Sequence, residues 1–321
     1  MNDNQTTNQS EDLDNSLVRW TGNKDQHPRD FKPKRVILIG SGAVKESWEP
    51  LLRLLKQKPP IDMDDSVSSQ LFGPIELASH VLANQSFMFR SIRSLLIRRI
   101  SNGDLKSETF SHCKTSIERF NEFRLNLGTY YSKAVEDKDI SLRKEVESIK
   151  NLLCPDTGVI TTNWDELFWQ QKELFPNLIQ LHGRATLPKS LIFPTELTLD
   201  EELIAQIDFN RLTSKFLEGA LSLKEPEKWF REMLSREAYF VNLKMAHDTA
   251  VHWLSDAEEV VIWGLAFNVY DAELNSIVSV SNHPKQPTKS ISVFDTNKEI
   301  AIRIAALMAF PFENLTFHQV T

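Results

Sequence analysis

The sequence predicts an α/β fold: a doubly wound parallel sheet with helical insertions forming a cap. Three observations carry that expectation. Short β-branched and aliphatic runs alternate with helix-length segments, the pattern of a parallel sheet with crossover helices. Several of those runs end on glycine or polar residues, where an open parallel sheet places its ligand. Two long stretches, by contrast, carry helical spacing with few strand-like runs.

Taken in order, residues 1–30 are rich in Asn, Gln, Thr, Ser and Asp and read as a flexible polar tail. Residues 31–321 read as one Rossmann-like domain. It opens with Arg35 to Ile39, a continuous apolar run of the kind buried on both faces of a sheet. Gly40-Ser41-Gly42 ends that strand, and Glu46 to Gln57 follows as a helix stopped by Pro59-Pro60. From about 60 to 155 the apolar residues recur at helical spacing (Leu77, Val81 and Leu82; Ile92, Leu95 and Leu96; Ile117, Phe120 and Phe123). That block reads as three or four inserted helices, and a second insertion spans about 197–254. The remaining strands are Val159-Ile160, Leu178-Ile179, Leu191 to Phe193, Val260 to Trp263 and Ile291 to Phe294.

At 321 residues, with 41% hydrophobic and 25% charged residues, the chain has the composition of an ordinary globular protein. Its net charge of −7 offers no general attraction to nucleic acid or anionic membranes, and neither is expected as a direct partner. Arg90, Arg93, Arg98 and Arg99 cluster locally and read as a solvated helix face. Two cysteines, Cys113 and Cys154, are too few for a structural zinc site, and no metal is expected. The N-terminus lacks the basic and apolar regions of a signal peptide, and no apolar run reaches the ~18 residues of a membrane helix. A reduced, cytoplasmic setting is the expectation.

The residues that carry chemistry sit just past strands. Asn163 and Asp165 follow the run ending at Thr161, and His182 stands between Leu181 and Gly183 after Leu178-Ile179. An amide, a carboxylate and an imidazole brought together there can orient a substrate and move a proton. The competing reading of Asn163 or Asp165 is a cap for a helix over Glu166 to Glu173, and taken alone capping is the stronger one. Gly40-x-Gly42 permits close approach of a phosphate, with the next helix supplying free N–H donors, but Lys45 stands where a full dinucleotide fingerprint has its third glycine. A structural tight turn explains those glycines equally well. Gly264 repeats the strand-then-glycine arrangement after Trp263, and Asp271 opens the next helix. Asp295 and Asn297 end the last of these strands, where an acid can hold ribose hydroxyls or, with Thr296, cap a helix over Lys298 to Met308.

In that order, the segments VILIGSG, ITTNWDELF, LHG, VVIWGLAFNVYDAEL and ISVFDTNKE resemble those of the SIR2-like superfamily. The likeness is to the bacterial antiphage-defence branch that depletes NAD, and it covers the sheet elements from about 34 to 300. The Asn-x-Asp and Leu-His-Gly pair is its specific part. The resemblance implies that Asn163 positions the attacking water and the nicotinamide ribose, and that His182 is the base. It implies that Asp165 lies near the nicotinamide, Gly40, Ser41 and Gly42 near the pyrophosphate, Gly264 near a ribose, and Asp295 or Asn297 near the adenosine. The zinc ribbon and the loop arginine of deacetylating sirtuins are missing here. The expectation is therefore an NAD+ hydrolase, an effector of bacterial antiphage defence, acting as a homo-oligomer with a partner protein encoded nearby as its trigger. A non-catalytic NAD- or ADP-ribose-binding module is the alternative.

Overall fold

Arg35 to Ile39 becomes the centre of the sheet because its four aliphatic side chains have an apolar layer to enter on either face. The computed structural model describes residues 16–22, 26–57, 74–102, 107–193, 237–267, 271–281, 290–309, 311 and 315–320. This central strand, β2 (Arg35–Ile39), pairs in parallel with β5 (Thr157–Thr161) on one side and β7 (Glu259–Trp263) on the other. Beyond β5 lies β6 (Leu178–Gln180), and beyond β7 lie β8 (Ser290–Asp295) and β9 (Leu315–Gln319), all parallel. An antiparallel strand, β1 (Val18–Arg19), closes the β6 edge. The seven strands are ordered β1-β6-β5-β2-β7-β8-β9. Numbered along the chain, the six parallel strands stand in the order 3-2-1-4-5-6, that of Rossmann-like sheets, whose ligand crevice opens where the strand order reverses.

Alternation along each strand divides the core. Ile37, Ile39, Val159, Val261 and Trp263 face one apolar layer with α1 (Glu49–Gln57), α2 (Pro74–Asn102) and α3 (Ser107–Glu136). Val36, Leu38, Ile160, Val260 and Ile262 face the other, with α6 (Glu237–Asp256), α7 (Ala272–Val280) and α8 (Glu299–Leu307). Each fully buried aliphatic side chain contributes about 1.5–3 kcal/mol, so β2 cannot shift register without large loss. Arg35 fixes the opposite end of the strand: its Nε meets Glu259 Oε2 at 2.7 Å and its Nη1 donates to the Leu152 carbonyl at 2.5 Å.

Several expectations need correction. Val18-Arg19 lies inside the expected tail but is a sheet strand, with Leu17 fully buried and Asn177 Oδ1 accepting from the Thr21 backbone and hydroxyl. Leu191 to Phe193 is not a strand of the sheet among the described residues. It packs as a buried apolar plug, and the Phe193 ring meets Phe120, Phe123 and Trp164. A short buried apolar run looks the same in sequence whether it is a strand or a plug. The first helix starts at Glu49, not Glu46, because Glu46 sits at φ 55° and Pro50 fits only in a first turn.

Within the first insertion, the long helices α2 and α3 pack on each other, followed by the short α4 (Val146–Lys150). A two-strand ladder, β3 (Val44–Lys45) with β4 (Ser141–Leu142), ties the end of the insertion to the loop after β2. Of the second expected insertion, residues 197–236 lie outside the described residues, as do 1–15 and 60–73. Its last part, α6, is a sheet-covering helix that carries Leu243, Ala246, Ala250 and Trp253 into the core. Arg98 and Arg99 are exposed on α2, and Cys113 and Cys154 are free. Among the described residues no helix is long and apolar enough to cross a membrane.

Candidate functional site

A cavity of about 370 Å³ opens at the carboxyl ends of β2, β5, β6, β7 and β8. Ser41, Gly42, Asn163, Asp165, His182, Gly264, Asp295 and Asn297 all border it, so the strand-end residues singled out in the sequence converge. Gly40 does not line it. Ser79 and Leu82 of α2 and Tyr131 of α3 also line it.

The loop after β5 is shaped by hydrogen bonds that separate Asn163 from Asp165. Asn163 N–H donates to Thr161 Oγ1, and Gln180 Nε2, at the end of β6, donates to the carbonyls of Asn163 (2.8 Å) and Asp165 (2.7 Å). Asp165 Oδ1 accepts from Leu167 N–H at 3.0 Å, an Asx turn leading into the one-turn helix α5 (Leu167–Gln170), whose N-cap residue is Glu166. Neither residue is the N-cap, but this turn occupies the Asp165 carboxylate and leaves the Asn163 side chain out. Asn163 is 6% exposed, and neither its Oδ1 nor its Nδ2 has a hydrogen-bond partner among the described residues.

His182 is held by the loop after β6. Gly183 sits at φ 86°, and a Cβ there would lie 2.1 Å from the Ser190 carbonyl oxygen, so Leu-His-Gly is a backbone requirement as much as a chemical one. Ile192 N–H donates to the His182 carbonyl at 2.9 Å, and the imidazole hydrogen-bonds the Thr162 backbone, while its Nε2 is buried without a partner. Burial lowers the His182 pKa to about 4 against that backbone bond, so the ring is neutral at physiological pH. On α6, His247 Nε2 lies 3.2 Å from the Leu181 carbonyl; burial, then His182, lower its pKa to about 4 as well.

Burial raises the Asp165 carboxyl to about 7, with Glu166 adding to the rise and the Leu167 N–H opposing it. Asp271 is raised to about 6 by burial. Tyr131 is pushed up by burial and then by Asp165, and its hydroxyl donates to the Ser47 carbonyl at 2.8 Å. Among the described residues, the lining holds carboxyl groups from Asp165, Asp271 and Asp295 but no lysine or arginine. Such a wall favours a neutral or cationic group over an anion.

The glycine loops also meet a packing requirement. A Cβ on Gly42 would lie 2.6 Å from Gly264 Cα, and one on Gly40 would lie 2.4 Å from the Gly264 carbonyl oxygen. Gly264 itself takes φ 59°. The N–H groups of Gly40, Gly42 and Ala43 donate to Trp263, Gly264 and Gly40, and α1 starts only at Glu49. These glycines let the β2 and β7 loops pack backbone to backbone, and the free N–H donors expected there are largely spent inside the protein. Asp295 Oδ1 accepts from Asn297 N–H, and Asn297 Oδ1 from Glu299 N–H, both at 2.9 Å, so each also shapes the turn into α8.

Sequence reading missed Tyr131, Gln180, His247 and a buried pair, Glu166–Arg184. Only the last left a signal: a Glu and an Arg within a residue or two of Asp165 and His182, in segments otherwise buried. Among the described residues no group of three or more His, Cys, Asp or Glu is placed to share a metal ion. Comparison with protein-family models, with curated proteins and with solved structures finds no match to this chain.

Proposed function

We propose that this cavity binds NAD+ and hydrolyses its nicotinamide–ribose bond. The observation that carries the reading is the pair of buried, unpartnered groups, the Asn163 amide and His182 Nε2, bordering one cavity at the strand ends. An unsatisfied buried polar group costs about 1–3 kcal/mol, a penalty that a ligand supplying the missing partners would relieve. Bond breaking develops oxocarbenium character at the ribose C1′, and the leaving nicotinamide is already cationic, so it needs no strong acid. In this reading, the C1′–N bond breaks as its electron pair neutralises the pyridinium. Water then bonds to C1′ and gives up its proton. The Asn163 amide can hold the water and a ribose hydroxyl, and neutral His182 accepts the proton or orients its donor. Acidic walls suit a cationic ring.

Incubation with NAD+ tests the reading: nicotinamide and ADP-ribose accumulate with the native chain and not with Asn163→Ala or His182→Ala. Absence of nicotinamide from the native chain, alone and with a genetically adjacent partner, while a matched active NADase releases it, rejects the enzyme. A second reading, a doubly wound, capped module that binds NAD or ADP-ribose without turnover, is favoured by the loop's departure from the dinucleotide fingerprint at Lys45. The N–H groups of Gly40, Gly42 and Ala43 are engaged internally, so in either reading they are not free for a pyrophosphate. Calorimetry separates the two, because a binder takes up NAD and returns it intact. The resemblance of the strand-end segments extends the proposal to a cytoplasmic antiphage effector, homo-oligomeric and triggered by a partner protein, with the helical cap closing over the site.

A further inference from the structure

Behind the cavity, Glu166 and Arg184 form a fork-to-fork ion pair: Arg184 Nε to Glu166 Oε1 at 3.0 Å and Nη2 to Oε2 at 2.9 Å. Their side chains are 4% and 6% exposed. Glu166 directly follows Asp165 in the β5 loop, and Arg184 stands two residues past His182 in the β6 loop. The Thr186 hydroxyl also donates to Glu166 Oε1, at 2.5 Å. Arg184 Nη1 donates to the Ser16 carbonyl, and its guanidinium lies 4.1 Å from the Trp169 ring centroid. The same ring carries Arg19 at 4.8 Å, whose pKa is lowered to about 10 by burial and by Arg184. Two guanidiniums around one indole, with one carboxylate between loops, join the β5 loop, the β6 loop and the N-terminal edge strand.

Stability alone is a poor account of such a pair, since apolar side chains of similar volume often do as well or better in its place. What they lack is directional bonding between the two loops, which the ion pair adds to the backbone bond from Ala185 N–H to the Trp164 carbonyl (2.8 Å). Resting on the NAD-cleaving reading of the cavity, we propose that Glu166 and Arg184 are positioning residues that hold Asn163 and His182 in one working geometry. Neither borders the cavity, so they act through the loops and not on substrate.

The test compares the full chain with the double variant Glu166→Met/Arg184→Met. Turnover of NAD+ is followed together with ring titration of His182 by NMR, the resonance being assigned with His182→Gln. The expected result is a folded double variant whose kcat for nicotinamide release falls at least 10²-fold while KM stays within about threefold. Its His182 ring, silent between pH 5.5 and 8 in the native chain, titrates in that window once the loosened loop admits water. A folded double variant with kcat within twofold and a silent His182 overturns the proposal. If the native chain does not cleave NAD+, the functional reading fails and the His182 titration alone decides the pair. Should the double variant not fold, Arg184→Lys decides by the same measurements, since it keeps the charge but loses the two-pronged geometry. Native kcat and a silent His182 in that variant reject positioning.

Discussion

Replacing Asn163 by alanine separates a ligand-binding amide from a structural one by the sign of its effect on stability. Were Asn163 a cap, Asn163→Ala would cost about 1 kcal/mol. Its Oδ1 and Nδ2 instead lie buried without partners among the described residues, and each such group costs about 1–3 kcal/mol in the folded state. Removing both relieves that cost. The space vacated joins an existing cavity instead of opening a void in packed core, so the packing penalty is small. Water entering the cavity satisfies part of the demand, which places the net change between zero and a gain of about 2 kcal/mol. For a chain of this size, that is a rise in Tm of at most about 4 °C. Urea denaturation and calorimetry measure it, and nicotinamide release falls at least 10²-fold in the same preparation. A loss of 1 kcal/mol or more refutes the reasoning and returns Asn163 to a structural role.

Three further outcomes follow from the same geometry. Asp165 has a folded pKa near 7, above its usual 3.8, so its contribution is fully present below pH 3.8 and is lost as pH rises through 7. Asp165→Asn keeps an acceptor for Leu167 N–H and removes that decline, gaining on the order of 2–4 kcal/mol over the native chain at pH 8 but not at pH 4; equal pH profiles in denaturant melts count against it. His182 runs the other way: its folded pKa of about 4 lies below 6.5, so its contribution is present above 6.5 and is lost as pH falls through 4. His182→Gln accordingly narrows the gap in unfolding free energy between pH 7.5 and pH 4.5, while His247 leaves a residue of the same slope. Gly264→Ala meets φ 59° and a Gly42 Cα at 2.7 Å, and costs about 2–4 kcal/mol. Gly42→Ala contests the same space, so the double variant costs less than the two singles combined.

The strands β2 and β7 were legible because a strand covered on both faces must be a continuous apolar run, while β5, β6 and β8 showed as shorter apolar stretches. The candidate residues were legible for a related reason: a parallel sheet delivers whatever follows its strands to one edge. Edge strands leave weaker marks. β9 alternates exposed with half-buried positions, and β1 is two residues long, so neither carries an apolar run to be found.

The sequence by itself determined the central strands, their parallel direction and the residues at their carboxyl ends, since these follow from local apolarity and chain order. Only the tertiary structure decided what each residue does there. It engaged the Asp165 carboxylate in a turn with Leu167 N–H and left the Asn163 amide without a partner among the described residues, though the two are equal candidates in sequence. It set Gly40 and Gly42 against Gly264, more than two hundred positions away, and paired Glu166 with Arg184 behind the cavity. Hydrogen-bond partners, close backbone approach and desolvation depend on neighbours distant in the chain, and no local pattern of residue types encodes them.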